Sequence, residues 1–267
     1  MRYIWNILRA EVVKQHRLYL KGYGQYFSLF IWPVLGFVTV YFTYKPFSFE
    51  EANIIGITTS NELMMFLSTG FMAATCFQVT LSAAQNLNWM ERQGGTLELM
   101  FLTPANRLVM LYGKSLGALL QNTWLCICFS VIILVYSGGL GTLPYIPLIY
   151  ILLIVTSTVW GGLLNAYSLF SRDTLAFVLL DEPMRLFSGA RVPLQSFPVW
   201  GQAISMIFPI TYSLRIVRLV FAQAAFSEFV LDIVLLTLLL IVLIAITFVA
   251  IKRVERNNRR TGQLNLF

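Results

Sequence analysis

Twenty-three consecutive residues, Phe229 to Ile251, carry a single charge, Asp232, close to their start. About 20 apolar residues in a row are long enough to cross the hydrocarbon core of a bilayer as a helix, and a helix satisfies its own backbone polar groups where no water can. The same kind of run recurs at Gln25–Thr43, Leu63–Leu87, Ser115–Tyr136 and Tyr145–Phe170. With 58% hydrophobic and 12% charged residues, against about 25% charged in an average soluble chain, the 267 residues are taken up by spans and short connections. An all-α integral membrane fold follows, with no room for a second folded soluble domain.

One segment breaks the rule. Thr174–Ser188 is apolar but only 15 residues long, and it holds Asp181, Glu182, Pro183 and Arg185. Behind it, prolines at 193, 198 and 209 interrupt another apolar stretch. Broken backbone at membrane depth is tolerated only where protein or a water-filled cavity covers it. The expectation is therefore a short fifth span followed by re-entrant segments, then a surface helix at Leu214–Ala225 and Phe229–Ile251 as the sixth span. At the other end, Ile4, Leu8 and Val12 share one helical face while Arg2, Arg9 and Arg17 sit elsewhere, the pattern of a helix lying in the headgroup plane. The organisation expected is an amphipathic interfacial helix over 1–24, a six-span domain over 25–251 and a basic cytoplasmic tail over 252–267. No signal-peptide cleavage pattern is apparent, so the first span is expected to be retained.

A net charge of +7 would point to nucleic acid in a soluble protein. Here the basic residues gather at the two ends, with no nucleic-acid motif beside them, which fits cytoplasmic segments and anionic lipid headgroups. Fourteen Lys and Arg fall in the two terminal segments, the Glu91–Lys114 insert and the Ser171–Asp173 turn; five fall on the opposite side. The positive-inside rule then places both termini in the cytoplasm. Cys76, Cys126 and Cys128 lie inside apolar runs and act as small hydrophobes. A lone histidine, His16, excludes a histidine-based metal cluster within one chain.

Gly113-Lys114-Ser115 has the look of a phosphate-binding loop, but position 108 is Leu where that loop needs glycine. The expectation is a lysine at the headgroup boundary and no nucleotide site; Gly113 and Gly117, four apart, are a candidate helix-packing face. More informative is the polar insert between the second and third spans, ERQGGTLELMFLTPANRLVMLYGK. It joins Glu91 and Arg92, a flexible Gly94–Gly95 hinge, and a short run with an apolar ridge of Leu97, Leu99, Met100 and Phe101 around Glu98, closed by Pro104. Such a ridge with a charged flank suits a groove on a partner protein.

Glu91, Gly95, Thr96, Glu98 and Pro104 resemble the coupling-helix pattern E-x-x-x-G-T-x-E…P of ABC-2 type transport permeases. A second stretch, SGARVPLQSFPVWGQAISMIFPITYSLRIVR, is similar to the same family at Ser188, Gly189, Pro193, Pro198, Trp200, Pro209, Thr211, Tyr212 and Arg218. The resemblance implies a six-span exporter permease of the drug or peptide branch, working as a dimer of identical or homologous subunits in a bacterial plasma membrane. A separate ATPase subunit would hold ATP and Mg, with no cofactor in this chain. It implies ATPase coupling through Glu91, Gly95, Thr96, Glu98, Leu99 and Phe101. The sequence departs from the family at Asp181, Glu182 and Arg185, with Arg191 just beyond, where the family is more apolar. Intramembrane charges are expensive and functional by default, which makes these four the candidate substrate pathway, a self-neutralising structural cluster being the alternative. Rival readings are a polysaccharide exporter, a membrane enzyme acting on lipid-linked substrates, or a non-transporting sensor or immunity subunit.

Overall fold

The computed structural model of the chain describes residues 2–19, 23–44, 59–96, 102–137, 140–170 and 175–261. These form ten α-helices with no strand among the described residues: α1 (Arg2–Tyr19), α2 (Tyr23–Tyr44), α3 (Ser60–Gln93), α4 (Arg107–Gln121), α5 (Thr123–Ser137), α6 (Ile146–Phe170), α7 (Leu175–Phe187), α8 (Val199–Ser205), α9 (Pro209–Phe221) and α10 (Phe226–Thr261). Asn61–Glu91, Leu143–Leu169 and Phe226–Arg253 are long and apolar enough to cross a membrane alone. The pairs α4–α5 and α8–α9 would each supply one more if taken as single bent spans.

α3 and α6 sit at the centre, with α4, α5, α9 and α10 packed around them. Phe37 of α2 and Phe129 of α5 meet Phe71 of α3 in one aromatic knot, Phe37 lying 5.4 Å from each of the other two rings. Asn165 on α6, fully buried, donates to Ser115 Oγ at 3.0 Å and to Gly161 O at 2.9 Å, so its amide is satisfied rather than stranded in the core. α10 stands at the periphery, with Leu231, Val234, Leu238, Ile241 and Val242 exposed. An apolar face without protein cover is what a lipid-facing helix presents.

Three local departures from the sequence-based expectation have physical causes. The third span begins at Arg107 rather than Ser115, because Asn106 caps it by accepting from the amides of Leu108 and Val109. It then bends by 51° at Asn122, whose Nδ2 donates to Ala118 O at 3.0 Å. The Leu214–Ala225 surface helix does not form as such. Pro209 at the first helical position sets an earlier start, and Leu214, Ile216, Val217 and Phe221 bury α9 against α3, α6 and α10. Gln223, with φ of 54°, turns the chain after that helix. α8 and α9 meet at 95°, so the proline-broken stretch turns through about a right angle between them. Its leading loop lies directly on α3: a Cβ on Gly70 would come within 2.0 Å of the Ala190 carbonyl oxygen, so only glycine permits that approach.

Candidate functional site

The insert that interrupts the spans is fastened at both described ends. α3 finishes with Gly94 N donating to Met90 O at 2.9 Å, and Gly95 takes a left-handed φ of 64°, the conformation in which glycine closes helices. The Gly94–Gly95 pair, expected as a hinge, thus stands at the end of α3. Thr96 Oγ1 donates back to Glu91 O at 3.3 Å. Glu98, Leu99 and Phe101 lie outside the described residues. At the far end, Tyr3 Oη of α1 donates to Pro104 O at 2.6 Å.

α1 also reaches the near end through charge. Glu91 Oε2 is 2.5 Å from Lys114 Nζ, Glu91 Oε1 is 2.8 Å from Lys14 Nζ, and Lys14 Nζ is 2.7 Å from Glu11 Oε2. Glu91 and Lys114 are 3% and 1% exposed. Lys114 is therefore an interior ion-pair partner and not the headgroup-boundary lysine expected. Two acids and two lysines cancel, which makes burial of the set tolerable. Burial works against the Lys14 charge, but Glu91 and Glu11 outweigh it and raise its pKa above the ordinary lysine value. The Glu91 carboxylate points into this cluster, away from any surface a partner could touch.

Gly113 and Gly117 make the cluster possible. Both face α1: a Cβ at Gly113 would lie 3.2 Å from Glu11 Cβ, and one at Gly117 would lie 3.3 Å from Val12 Cα. The small-residue pair is a helix-packing face, and its partner is the amphipathic α1, which presents Glu11, Val12 and Gln15 to it. Elsewhere on α1, Tyr3, Ile4, Trp5 and Val13 are exposed.

A cleft of about 700 Å³ lies beside this junction, walled by α2, α3 and the end of α4. Gln15 of α1 lines it and donates to Lys114 O. Arg185, Ala190 and Arg191 line it as well. The Arg191 guanidinium stands 5.8 Å above the Phe71 ring. Asp181 pairs with Arg185 at 2.8 Å, across the four-residue spacing read from the sequence. Glu182 is exposed. Neither acid lines the cleft, whereas both arginines do.

No family model matches the chain. Over 176 residues, 63% of this chain, it is 29% identical to the probable multidrug ABC transporter permease YbhR of Escherichia coli (strain K12). The counterpart in Escherichia coli O157:H7 matches equally. The chain is similar to ABC transporter permeases. The match covers 44% of each relative, so the chain spans less than half the length of the curated relatives it matches.

Permease similarity gives the remaining polar contacts a setting. Arg218 lies over the Phe66 ring at 3.8 Å and donates to Phe66 O and Thr69 Oγ1 at 3.4 and 3.5 Å, tying α9 to α3. Arg215 pairs with the buried Asp232 at 3.2 Å, tying α9 to α10. Both arginines were expected on a surface helix; Arg218 instead binds a helix about 150 residues away in sequence, and Arg215 the helix that follows its own. Cys76 and Cys126 bring their sulfurs to 3.5 Å as free thiols between α3 and α5, a proximity that two cysteines 50 residues apart do not announce. The described residues hold no group of three or more His, Cys, Asp or Glu placed to share a metal ion.

Proposed function

We propose that this chain is the permease subunit of an ATP-driven ABC exporter, a multi-pass protein of a bacterial plasma membrane with both termini in the cytoplasm. In this reading α2, α3, the bent α4–α5 pair, α6, the short α7 with its re-entrant α8–α9, and α10 build the six-span domain. α1 lies at the cytoplasmic interface. A separate ATPase subunit binds ATP and Mg and grips the insert, with Glu98, Leu99 and Phe101 as its contact residues. Glu91, Gly95 and Thr96 hold the insert's root. A second permease subunit, identical or homologous, completes the pathway, and the substrate class is drug-like, peptide or lipid-like.

One observation carries the reading beyond similarity to a permease. α1 joins the insert to the cleft: Tyr3 and Lys14 hold the insert's two ends, while Gln15, the next residue after Lys14, lines the cleft. A push on the insert is thereby transmitted through one rigid helix to the cleft, which is what alternating access requires of a transport subunit without its own nucleotide site. Asp181 serves this pathway by holding Arg185, and Glu182 extends the charge of the same helix outward.

The test is a purified complex of this chain with its ATPase subunit. Glu98→Lys should leave the permease inserted and soluble in detergent but abolish its stimulation of ATP hydrolysis and weaken co-purification of the ATPase. Undiminished stimulation and assembly in that variant would remove the insert from the mechanism.

A further inference from the structure

Gln78 stands close to the middle of the apolar stretch Asn61–Glu91, and it is exposed. An amide turned to hydrocarbon at that depth would leave its donors and its acceptor without partners, which is costly. The fold gives it the cleft instead. Thr75 and Ser82, at i−3 and i+4 from Gln78, share its face of α3 and line the cleft with it, and Gln121 and Asn122 line it from the end of α4. From Thr75 to Ser82 this polar belt runs roughly 10 Å at 1.5 Å per residue, within a hydrocarbon core about 30 Å thick. Its groups have bonds to spare. The buried Nε2 of Gln121 donates to no described residue. Thr75 Oγ1 donates to Phe71 O at 2.6 Å, and Asn122 Nδ2 to Ala118 O at 3.0 Å. The Thr75 hydroxyl oxygen and the Asn122 amide oxygen are left to accept.

The belt itself consists of uncharged side chains. An ion seated on it would exchange water for neutral amides and hydroxyls alone, whereas a neutral hydroxyl or amide finds there the kinds of donor and acceptor it leaves in water. Beside the belt, Trp32 of α2, Val79 of α3 and Leu125 of α5 give the same cleft an apolar wall. We propose that the cleft takes an uncharged amphiphile with a hydroxyl- or amide-bearing head, the head on Gln78 and Gln121 and the apolar chain against Trp32, Val79 and Leu125. This rests on reading the cleft as the transport pathway, and it narrows the substrate class of that same site. It assigns recognition to neutral residues of α3 and α4 and not to Asp181 and Glu182, neither of which lines the cleft.

The experiment uses the full chain in phosphatidylcholine nanodiscs and an octyl glucoside that carries a photoactivatable diazirine on its chain. Labelled residues are mapped by mass spectrometry, while unlabelled octyl glucoside, octyl phosphate and octyltrimethylammonium compete below their micellar concentrations. Saturable labelling should fall on the wall around Trp32, Val79 and Leu125. Octyl glucoside should compete about tenfold more strongly than either ion, the worth of one or two neutral hydrogen bonds. Gln78→Leu and Gln121→Leu should each remove most of that preference. Thr237→Val, which takes a polar group from the exposed side of α10, should leave it intact. Equal competition by the three probes, a preference for either ion, or an unchanged preference in folded Gln78→Leu and Gln121→Leu proteins would overturn the proposal. So would the absence of saturable labelling together with a disulfide between two copies of a Gln78→Cys variant, because a second subunit would then fill the cleft. Diglucosyl diacylglycerol added to the discs separates two sources of the ligand. Its competition identifies a membrane lipid as the guest and its failure to compete a solute; both outcomes support the neutral site. None of these readings needs ATP. A chain that keeps the preference but transports nothing with its ATPase would sink only the permease reading, and one that transports yet shows no preference would sink only this one.

Discussion

Lys114 is 1% exposed and survives there through Glu91 Oε2 at 2.5 Å. Breaking a buried ion pair from one side leaves the other charge uncompensated, at a cost of about 3–5 kcal/mol. Lys114→Met should fall near the lower end, about 3 kcal/mol, because Lys14 still holds the other Glu91 oxygen. Adding Glu91→Gln removes the stranded charge, so the double variant should be more stable than the sum of the single losses by about 1 kcal/mol or more. Urea unfolding of the purified chain in detergent, run as a double-mutant cycle, measures the coupling. Additivity of the two losses would mean that the pair is not a unit. This pairing was not legible in the sequence. Hydropathy places Lys114 at the mouth of the Ser115 span and therefore at the headgroups, while its partner lies 23 residues away across the insert. The Asp181–Arg185 pair was legible, since both residues share one helix at a spacing that brings side chains together.

At the scale of elements, the seam between α1 and α4 is the one most open to attack. Gly113 and Gly117 let the helices approach until Cβ atoms would crowd Glu11 and Val12. The double variant Gly113→Val, Gly117→Val inserts branched side chains into that seam and should lift α1 away, since well-packed contacts resist added volume. Lys14, whose amine is now held by Glu11 and Glu91, would then become available to trypsin. Cleavage at Lys14 in the folded variant should quicken severalfold. Equal cleavage rates in variant and parent would mean that the glycines do not set the approach. A glycine pair four apart can be read from any sequence, but its partner helix cannot. α1 was legible as amphipathic through Ile4, Leu8 and Val12, and on that same face Glu11 and Gln15 are the residues it buries most deeply. Polar residues dominate that face because an ion cluster, and not an apolar stripe, is what α1 completes. The burial of α9 escaped for a related reason. Arg215 and Arg218 read as surface charges, and only the fold supplies Asp232 and the Phe66 ring.

For the whole molecule, the peripheral α10 and the deeply packed α3 and α6 follow from the apolar runs themselves, and their bounds agree with the sequence to within a few residues at most ends. What the runs do not give is which side of the membrane each loop occupies, and there the charge distribution of the sequence supplies the expectation. Fourteen basic residues against five favour the cytoplasm for the termini and for the insert. The Glu91 cluster strengthens this placement, because it locks the basic α1 to the insert's root and the two must share one side. In a cysteine-free background, a single cysteine at Gly94 should stay unmodified by a membrane-impermeant maleimide in intact cells and react once the cells are opened. A cysteine at Gly139, between the third and fourth expected spans in sequence, should react in intact cells. Gly94 is a sensitive reporter because it ends α3 at the edge of the cluster, so an inverted insertion would expose it together with Lys14 and Tyr3. Labelling of Gly94→Cys from outside would overturn the orientation, and with it the premise that an ATPase in the cytoplasm can reach the insert. Protection at both positions would show that the stretch between the third and fourth expected spans does not emerge, and the bent α4–α5 pair would then have to be read as a re-entrant hairpin and not as a span.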